Sequence, residues 1–516
     1  MIKKNIIANI AGRAWAFLSV YLFVPLYLKF LGVEAYGLVG FYSALLGVLA
    51  FADMGFTATL NREMARLSVR NDSDGEMRDL LRTYELTYLF VSIALAISIW
   101  ILSPLIVTHW LQSSLLQPQE ITMAIQLMGV AIAFQLPSGL YIGGLMGLQR
   151  QVEANRLQIA WSIYRGLGGV LVLCLLSPTI IAFASWQLVS NALYCFLSRR
   201  NLWQTLYFVS TQHVTRFKWQ VFRDTWRYGA GMAAMAVVSI LLTQTDKLAV
   251  SKMLPLDMMG FYTLAGSLAV VPLMMAGPIA LAVFPRLAVL VVEGDRLELV
   301  RLYHQASRLV ALSVIPSGIT LAFFAGDFIR AWTGLPATAV KTELTASLLI
   351  VGQSMQAVTL IPFYLALAHG DVRLNLKIGV ASIILITPLL IYLIARFGIV
   401  GAGLSWVIMN VCTLPPYMYF LHRRFMRGEF LTWCIFGIGL PILTALPFVV
   451  LGRLFIPYSE SRLMTFVIVG FVWLVSTAFS VMISRELRNE FNKLFNQFSI
   501  RLHASRNSET INFERK

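Results

Sequence analysis

The chain has 516 residues, of which 58% are apolar and only 13% charged, with a mean hydropathy of +0.73. A soluble domain is nearer half apolar and a quarter charged; a water-exposed globule is therefore excluded, and a polytopic helical membrane protein is expected. The 18 prolines, set inside long apolar runs, argue against a β-barrel of short alternating strands, and the formal charge of +16 must be interpreted from where the basic residues sit.

A spanning helix needs about 20 mostly apolar residues. Fourteen such stretches occur, at roughly 8–30, 37–58, 84–108, 121–148, 157–177, 179–198, 227–250, 258–285, 302–325, 344–368, 375–395, 399–421, 431–452 and 463–484. The fifth and sixth are separated only by Ser177, Pro178 and Thr179, and the cut is made at the proline. Lys3 and Lys4 precede a full-length span without a small-residue cleavage site, so a cleavable leader is not expected. Cys174, Cys195, Cys412 and Cys434 all lie in apolar runs and read as small buried or lipid-facing side chains.

Lys and Arg in the connections set the orientation. With the N-terminus in the cytoplasm, 31 of the 41 basic residues fall on the cytoplasmic side and 7 on the other; Arg13, Arg165 and Lys247 lie inside spans. One missed helix would flip every later loop and erase that asymmetry, so both termini are expected in the cytoplasm. Arg-rich loops then face the anionic leaflet. With no basic soluble domain to carry it, nucleic-acid binding is not expected. The connection at 199–226 mixes Arg with Trp203, Phe217 and Trp219, which predicts an interfacial amphipathic helix. The tail 485–516 begins amphipathic and turns polar.

The outer connections are short, the longest at about 326–343, which leaves little room for extracytoplasmic chemistry. No HExxH, GxSxG, P-loop, CxxC or DxD-type cluster is present, and the six histidines are scattered near span ends. An enzyme, a cofactor and a metal site are therefore not expected, and a transporter or channel is.

The chain repeats itself. Leu31-Gly32-Val33-Glu34-Ala35-Tyr36-Gly37-Leu38 precedes span two, and Leu254-Pro255-Leu256-Asp257-Met258-Met259-Gly260-Phe261 precedes span eight, 223 residues on. Ala182…Ser185-Trp186 in span six is echoed by Ala402…Ser405-Trp406 in span twelve. Six spans separate the copies, an even number, which predicts a parallel repeat about an axis along the membrane normal. The expected organisation is an N-lobe at 1–198, a linker at 199–226, a C-lobe at 227–421 and two further helices at 422–484, followed by the tail. Two six-helix lobes would enclose a central cavity and rock for alternating access.

The opening Asn5…Asn9…Pro25, the Leu31-Gly32-x-Glu34-x-Tyr36-Gly37 run, Asp53-x-Gly55…Arg62-Glu63, the stretch Thr245-Asp246-Lys247…Leu254-x-x-Asp257-x-x-Gly260-x-Tyr262-x-x-Ala265, and Phe397-Gly398-Ile399-x-Gly401-Ala402 together resemble Wzx-type polysaccharide flippases of the multidrug/oligosaccharidyl-lipid/polysaccharide superfamily. The resemblance covers about residues 1–420. It implies twelve or fourteen helices in two lobes. It also implies transfer of undecaprenyl-pyrophosphate-linked oligosaccharides, for O-antigen-like surface polysaccharide, from the cytoplasmic to the periplasmic leaflet. Its partners would be that lipid-linked sugar, membrane lipid and the polysaccharide polymerase machinery. A cation-coupled drug or metabolite antiporter and a lipid II flippase of the same superfamily are the rival readings, and a multi-span polymerase or glycosyltransferase the rival from another class.

Ionisable groups inside spans are costly and mark candidate sites. Arg13 and Arg165, each about two turns into an inner end, are candidates to bind pyrophosphate through a bidentate fork; the alternatives are snorkelling or an internal ion pair. Asp53, with Arg62 nine residues on, is a candidate gate latch or a structural cap. Asp246 and Lys247 are adjacent, point about 100° apart and are expected not to face each other. Asp246 is a candidate coupling carboxylate and Lys247 a cavity cation. Gln135, Asn155, Gln244, Gln353, Gln356 and Asn410 are candidate sugar contacts or helix glue. Pro272 and Pro278 are the candidate hinge in span eight.

Overall fold

The computed structural model describes residues 2–70, 74–207, 216–455 and 461–483, and among these there is no strand. The first helix, α1 (Ile2–Leu49), has 48 residues. At 1.5 Å per residue it would be roughly twice the thickness of a bilayer core, and it breaks inside the repeat motif at Gly32, where φ is 78° and ψ 172°. That backbone is open to glycine and costly to any other residue. The same device recurs in α14 (Val372–Phe425), 54 residues broken at Gly398 with φ 59° and ψ −137°. Each helix is therefore two crossings hinged on a glycine.

After α1 a 3₁₀ turn (Ala50–Asp53) leads through Met54 and Gly55, both left-handed, into α2 (Phe56–Leu67). Then follow α3 (Asp74–His109), α4 (Pro118–Gly147), α5 (Gln151–Leu175), α6 (Ile180–Tyr207) and α7 (Trp219–Met253). The cut at Ser177-Pro178 stands, because α5 ends and α6 begins on either side of it. Next come α8 (Leu256–Ala269), α9 (Val271–Glu293), α10 (Arg296–Phe323), α11 (Ala325–Thr333), α12 (Pro336–Val358) and α13 (Leu360–Ala368). After α14 come α15 (Phe430–Thr432), a π-helical turn (Trp433–Gly439), α16 (Leu440–Phe455) and α17 (Arg462–Ile483).

Among the described residues eleven helices are long and apolar enough to cross a membrane. Two of these, of 40 and 52 residues, are the glycine-broken pairs, so the eleven cover thirteen of the fourteen stretches read from the sequence; the other, 227–250, lies on α7. The chain is a multi-pass, all-α membrane protein. Several boundaries move. Span two ends as helix at Leu49 rather than at 58, because the left-handed pair Met54-Gly55 turns the chain. The long outer connection at 326–343 is not open loop but holds α11, whose Asp327 pairs with Arg330 at 3.6 Å and with Arg453. The stretch 199–226 carries no separate helix among its described residues. Its start continues α6 and buries Leu202, Trp203 and Leu206, and Trp219 opens α7. The tail from 485 lies outside the described residues.

The chain divides into two compact units, one of residues 1–267, 332–345 and 376–405, the other of 268–331, 346–375 and the residues from 406 on. In the first, α4 packs on α3 and α6, and α5 on α1 and α6. Its core gathers Phe56, Leu60, Met64, Leu81, Tyr84, Tyr88, Leu140 and Leu145. In the second, α10 is the central helix, packed by α9, α16 and α17. Burial between helices gains little from the hydrophobic effect in a bilayer, so close contact and hydrogen bonds hold the spans together.

Candidate functional site

Arg165 sits half-buried on α5, held by its neighbours. Its guanidinium carbon lies 4.5 Å from the centre of the Trp161 ring, a cation–π contact. Its carbonyl accepts from the Trp186 indole at 3.2 Å. The glycines around it explain the approach: a Cβ on Gly166 would come within 2.2 Å of the Phe23 ring, and one on Gly168 within 2.0 Å of Trp186. Beside this cluster Asn191, wholly buried, donates to the Ala131 carbonyl at 3.1 Å and to Gln135 at 3.2 Å. Gln135 is thus engaged between α4 and α6. Asn155 and Asn410 donate to the carbonyls of Gln151 and Trp406 on their own helices, at 2.7 and 2.8 Å. The side chain of Arg13 lies outside the described residues.

Asp246 and Lys247, expected to diverge, meet. Lys247 Nζ is 3.4 Å from Asp246 Oδ1 and donates to the Thr243 carbonyl at 2.6 Å. The 100° between adjacent positions separates the Cβ directions, but the four-carbon lysine stem folds back across it. Asp246 is buried, and Tyr262 of α8 donates to its other oxygen at 2.5 Å. The coupling candidate thus bridges α7 and α8 and carries a cation at its side.

Asp53 ends the 3₁₀ turn, and its Oδ1 accepts from both Thr57 and Tyr88. These two hydroxyls are 3.0 Å apart. Its partners are therefore α2 and α3, not Arg62, which stands exposed on α2. The Asp-x-Gly signature has a plain local cause: the left-handed Met54-Gly55 pair reverses the chain so that the carboxylate returns over the start of α2.

Pro272 occupies the first turn of α9, just after the break at Val270 that separates it from α8; Pro278 lies within α9. A proline tolerates a first turn, where its missing N–H costs nothing, and bends an interior. The break therefore coincides with the first of the two candidate positions.

Two arrangements went unread in the sequence. The first is a clasp on the 110–117 connection. Glu34 accepts from Ser113 Oγ at 2.5 Å and from the backbone N–H groups of Ser114 and Leu115 at 2.8 and 3.1 Å. From the other copy of the repeat, Leu256 N donates to the Gln112 carbonyl at 2.8 Å, and Lys252 Nζ reaches the His109 carbonyl. The second is a buried carboxylate, Glu85, shared by Arg199 at 2.5 Å, Arg82 at 2.8 Å, Tyr141 at 2.8 Å and Trp203 at 3.3 Å. The one signal for it was an acid in the first turn of an apolar span, three residues after an arginine.

Residues 2–291 match the family described as "Polysaccharide biosynthesis protein". A curated Shigella flexneri protein with the printed name "Putative O-antigen transporter" is 23% identical over 410 residues, covering 79% of this chain and 94% of that one. Among solved structures, one titled "Lipid II flippase MurJ, inward closed conformation" matches with a TM-score of 0.72 and 16% identity over 94% of this chain and 99% of that chain. An inward-facing multidrug resistance MATE family transporter of the MOP superfamily matches with a TM-score of 0.64 and 11% identity, covering 80% and 94% respectively. At these identities the solved structures share a fold with this chain.

Proposed function

The chain belongs to the polysaccharide biosynthesis protein family and has the fold of MOP-superfamily transporters, and from that premise we propose that it is a flippase for undecaprenyl-pyrophosphate-linked oligosaccharides. It moves them from the cytoplasmic to the periplasmic leaflet of the inner membrane by alternating access, with both termini in the cytoplasm, and hands them to polysaccharide polymerisation.

The observation that carries the reading is Arg165: a cation within a span, braced on the Trp161 ring and set among aromatic side chains, with no ion pair to a carboxylate among the described residues. An arginine so held suits a pyrophosphate, which it can grip bidentately. Arg13 and Lys247 are proposed to assist it. Asp246 is proposed to couple transport to a cation, Asp53 and Arg62 to serve the cytoplasmic gate, and Pro272 and Pro278 to form the hinge. The family match and the relative named for O-antigen favour this substrate over lipid II or a drug.

The test is a deletion strain carrying wild-type or Arg165→Ala protein at equal membrane level. Loss of surface polysaccharide with accumulation of lipid-linked repeat units and intact peptidoglycan is the expected result. Accumulation of lipid II in the deletion strain, or normal polysaccharide in its absence, overturns the reading.

A further inference from the structure

On the flank of the first unit a groove of about 480 Å³ runs between α3 and α4. Its floor and walls are apolar, with Leu89, Ile93 and Ala96 from α3 and Ala133, Phe134 and Pro137 from α4. Leu89, Ile93 and Ala96 recur every three or four residues, and Ala133 and Phe134 lie four and three before Pro137, so each helix gives the groove one continuous face. Leu89, Ile93 and Phe134 keep 53%, 50% and 40% of their surface open, so the groove faces outward.

One end of the groove is not apolar. Arg82 and Arg199 flank it, 40% and 47% exposed, and both are fastened to Glu85, whose side chain is only 9% exposed. Tyr141 and Trp203 also donate to Oε1, the oxygen that Arg199 takes, while Arg82 takes Oε2. Arg82 bonds the carboxylate through Nη1 and Arg199 through Nε, and each five-donor fork has further N–H groups at the groove mouth. Two cations on one carboxylate leave a net positive charge at the edge of a span, where anionic headgroups are its natural counterpart.

We propose that this groove is a binding site for an anionic glycerophospholipid of the surrounding bilayer, its phosphate on Arg82 and Arg199 and one acyl chain along α3 and α4. From Arg82 to Ala96 is fourteen helical rises, roughly 21 Å. One leaflet of hydrocarbon is roughly 15 Å deep. The groove therefore takes a whole acyl chain of one leaflet, whereas an undecaprenyl chain overruns it. Basic pockets between spans at a membrane face are a recurrent mode of headgroup recognition. Glu85 acts as the post that fixes both forks toward one point, and it holds them with or without lipid.

The full-length protein in neutral-lipid nanodiscs provides the test, with phosphatidylglycerol or phosphatidylcholine added and bound lipid read by native mass spectrometry. The wild type should retain phosphatidylglycerol and not phosphatidylcholine. Arg199→Gln should weaken retention about fivefold, the factor that roughly 1 kcal/mol per basic side chain near a membrane gives. Because that variant also disturbs Glu85, two others avoid relying on it. Ala133→Trp fills the groove away from the charges and should abolish retention. Glu85→Gln leaves both guanidiniums but releases them from their common post, and should weaken it. Equal retention of the two phospholipids, unchanged retention in Ala133→Trp, or displacement of phosphatidylglycerol by equimolar undecaprenyl phosphate would each overturn the proposal.

Discussion

Gly37 and Gly260, equivalent positions of the internal repeat, lie against one another. A Cβ on Gly37 would come 2.0 Å from the Leu256 carbonyl oxygen and 3.0 Å from Gly260 N; a Cβ on Gly260 would come 2.2 Å from the Val33 carbonyl oxygen. Val33 and Leu256 are themselves 223 residues apart, the repeat offset. The contact is therefore reciprocal: each glycine meets the copy of the other's neighbour. Such a pattern arises where two related elements cross close to the axis that relates them. The helices approach so tightly here because neither has a side chain at the crossing.

Alanine at either glycine should be costly. The opposing atom is backbone and cannot rotate away, so Gly37→Ala and Gly260→Ala should each lower stability by about 1–3 kcal/mol. Gly266→Ala, one turn and a half further along α8 with nothing within 4 Å of its Cβ, is the control and should be nearly neutral. Thermal unfolding in detergent checks this, and equal melting of all three refutes the crossing.

Arg165→Ala should reduce surface polysaccharide at normal protein level, with Arg165→Lys restoring part of it, since lysine supplies charge without the fork. Normal export by the alanine variant would remove Arg165 from substrate binding. The same pair of changes at Arg13 tests the second cation.

Asp246→Asn should insert and fold yet lose any dependence of transport on the proton gradient in vesicles. It keeps size and an acceptor for Tyr262 but removes the titrating group. If the variant instead melts well below wild type, the carboxylate serves chiefly to neutralise Lys247, whose ammonium lies 3.4 Å away. A well-folded variant with unchanged proton dependence excludes the coupling role.

The Asp53 turn should behave as one unit. Thr57→Val and Tyr88→Phe each remove one donor and should cost about 1 kcal/mol. Their combination should depart from additivity, because both bonds end on the same oxygen. A double-mutant cycle on thermal unfolding measures it, and strict additivity would mean that the two bonds act independently.

What the sequence disclosed is what depends on local composition. Apolar length marked the spans, and Pro178 separated α5 from α6 because a helix rarely continues through Ser-Pro. The glycines of the repeat and of Phe397-Gly398 were visible as motif residues. That Gly32 and Gly398 break continuous helices was not, because a positive φ leaves no trace except the glycine itself. The Glu85 cluster was hidden for a different reason. Its members lie on α3, α4 and α6, and only packing brings them together; counted as loop charges, Arg82 and Arg199 gave no hint of a shared carboxylate. The Asp246–Lys247 contact was missed because helical angle describes where a side chain starts, not where a long one ends.

The grip of Glu34 on Ser113, Ser114 and Leu115 makes the 110–117 connection an unusual turn. Surface turns normally accept inserted sequence, because few of their backbone groups are committed. Here three consecutive residues are moored to one carboxylate, and Gln112 is tied to Leu256 as well. An epitope tag or protease site placed there should disrupt the protein rather than report on its topology. The turn at Gly294, with its left-handed backbone and open surroundings, is the position where the same insertion should pass unnoticed.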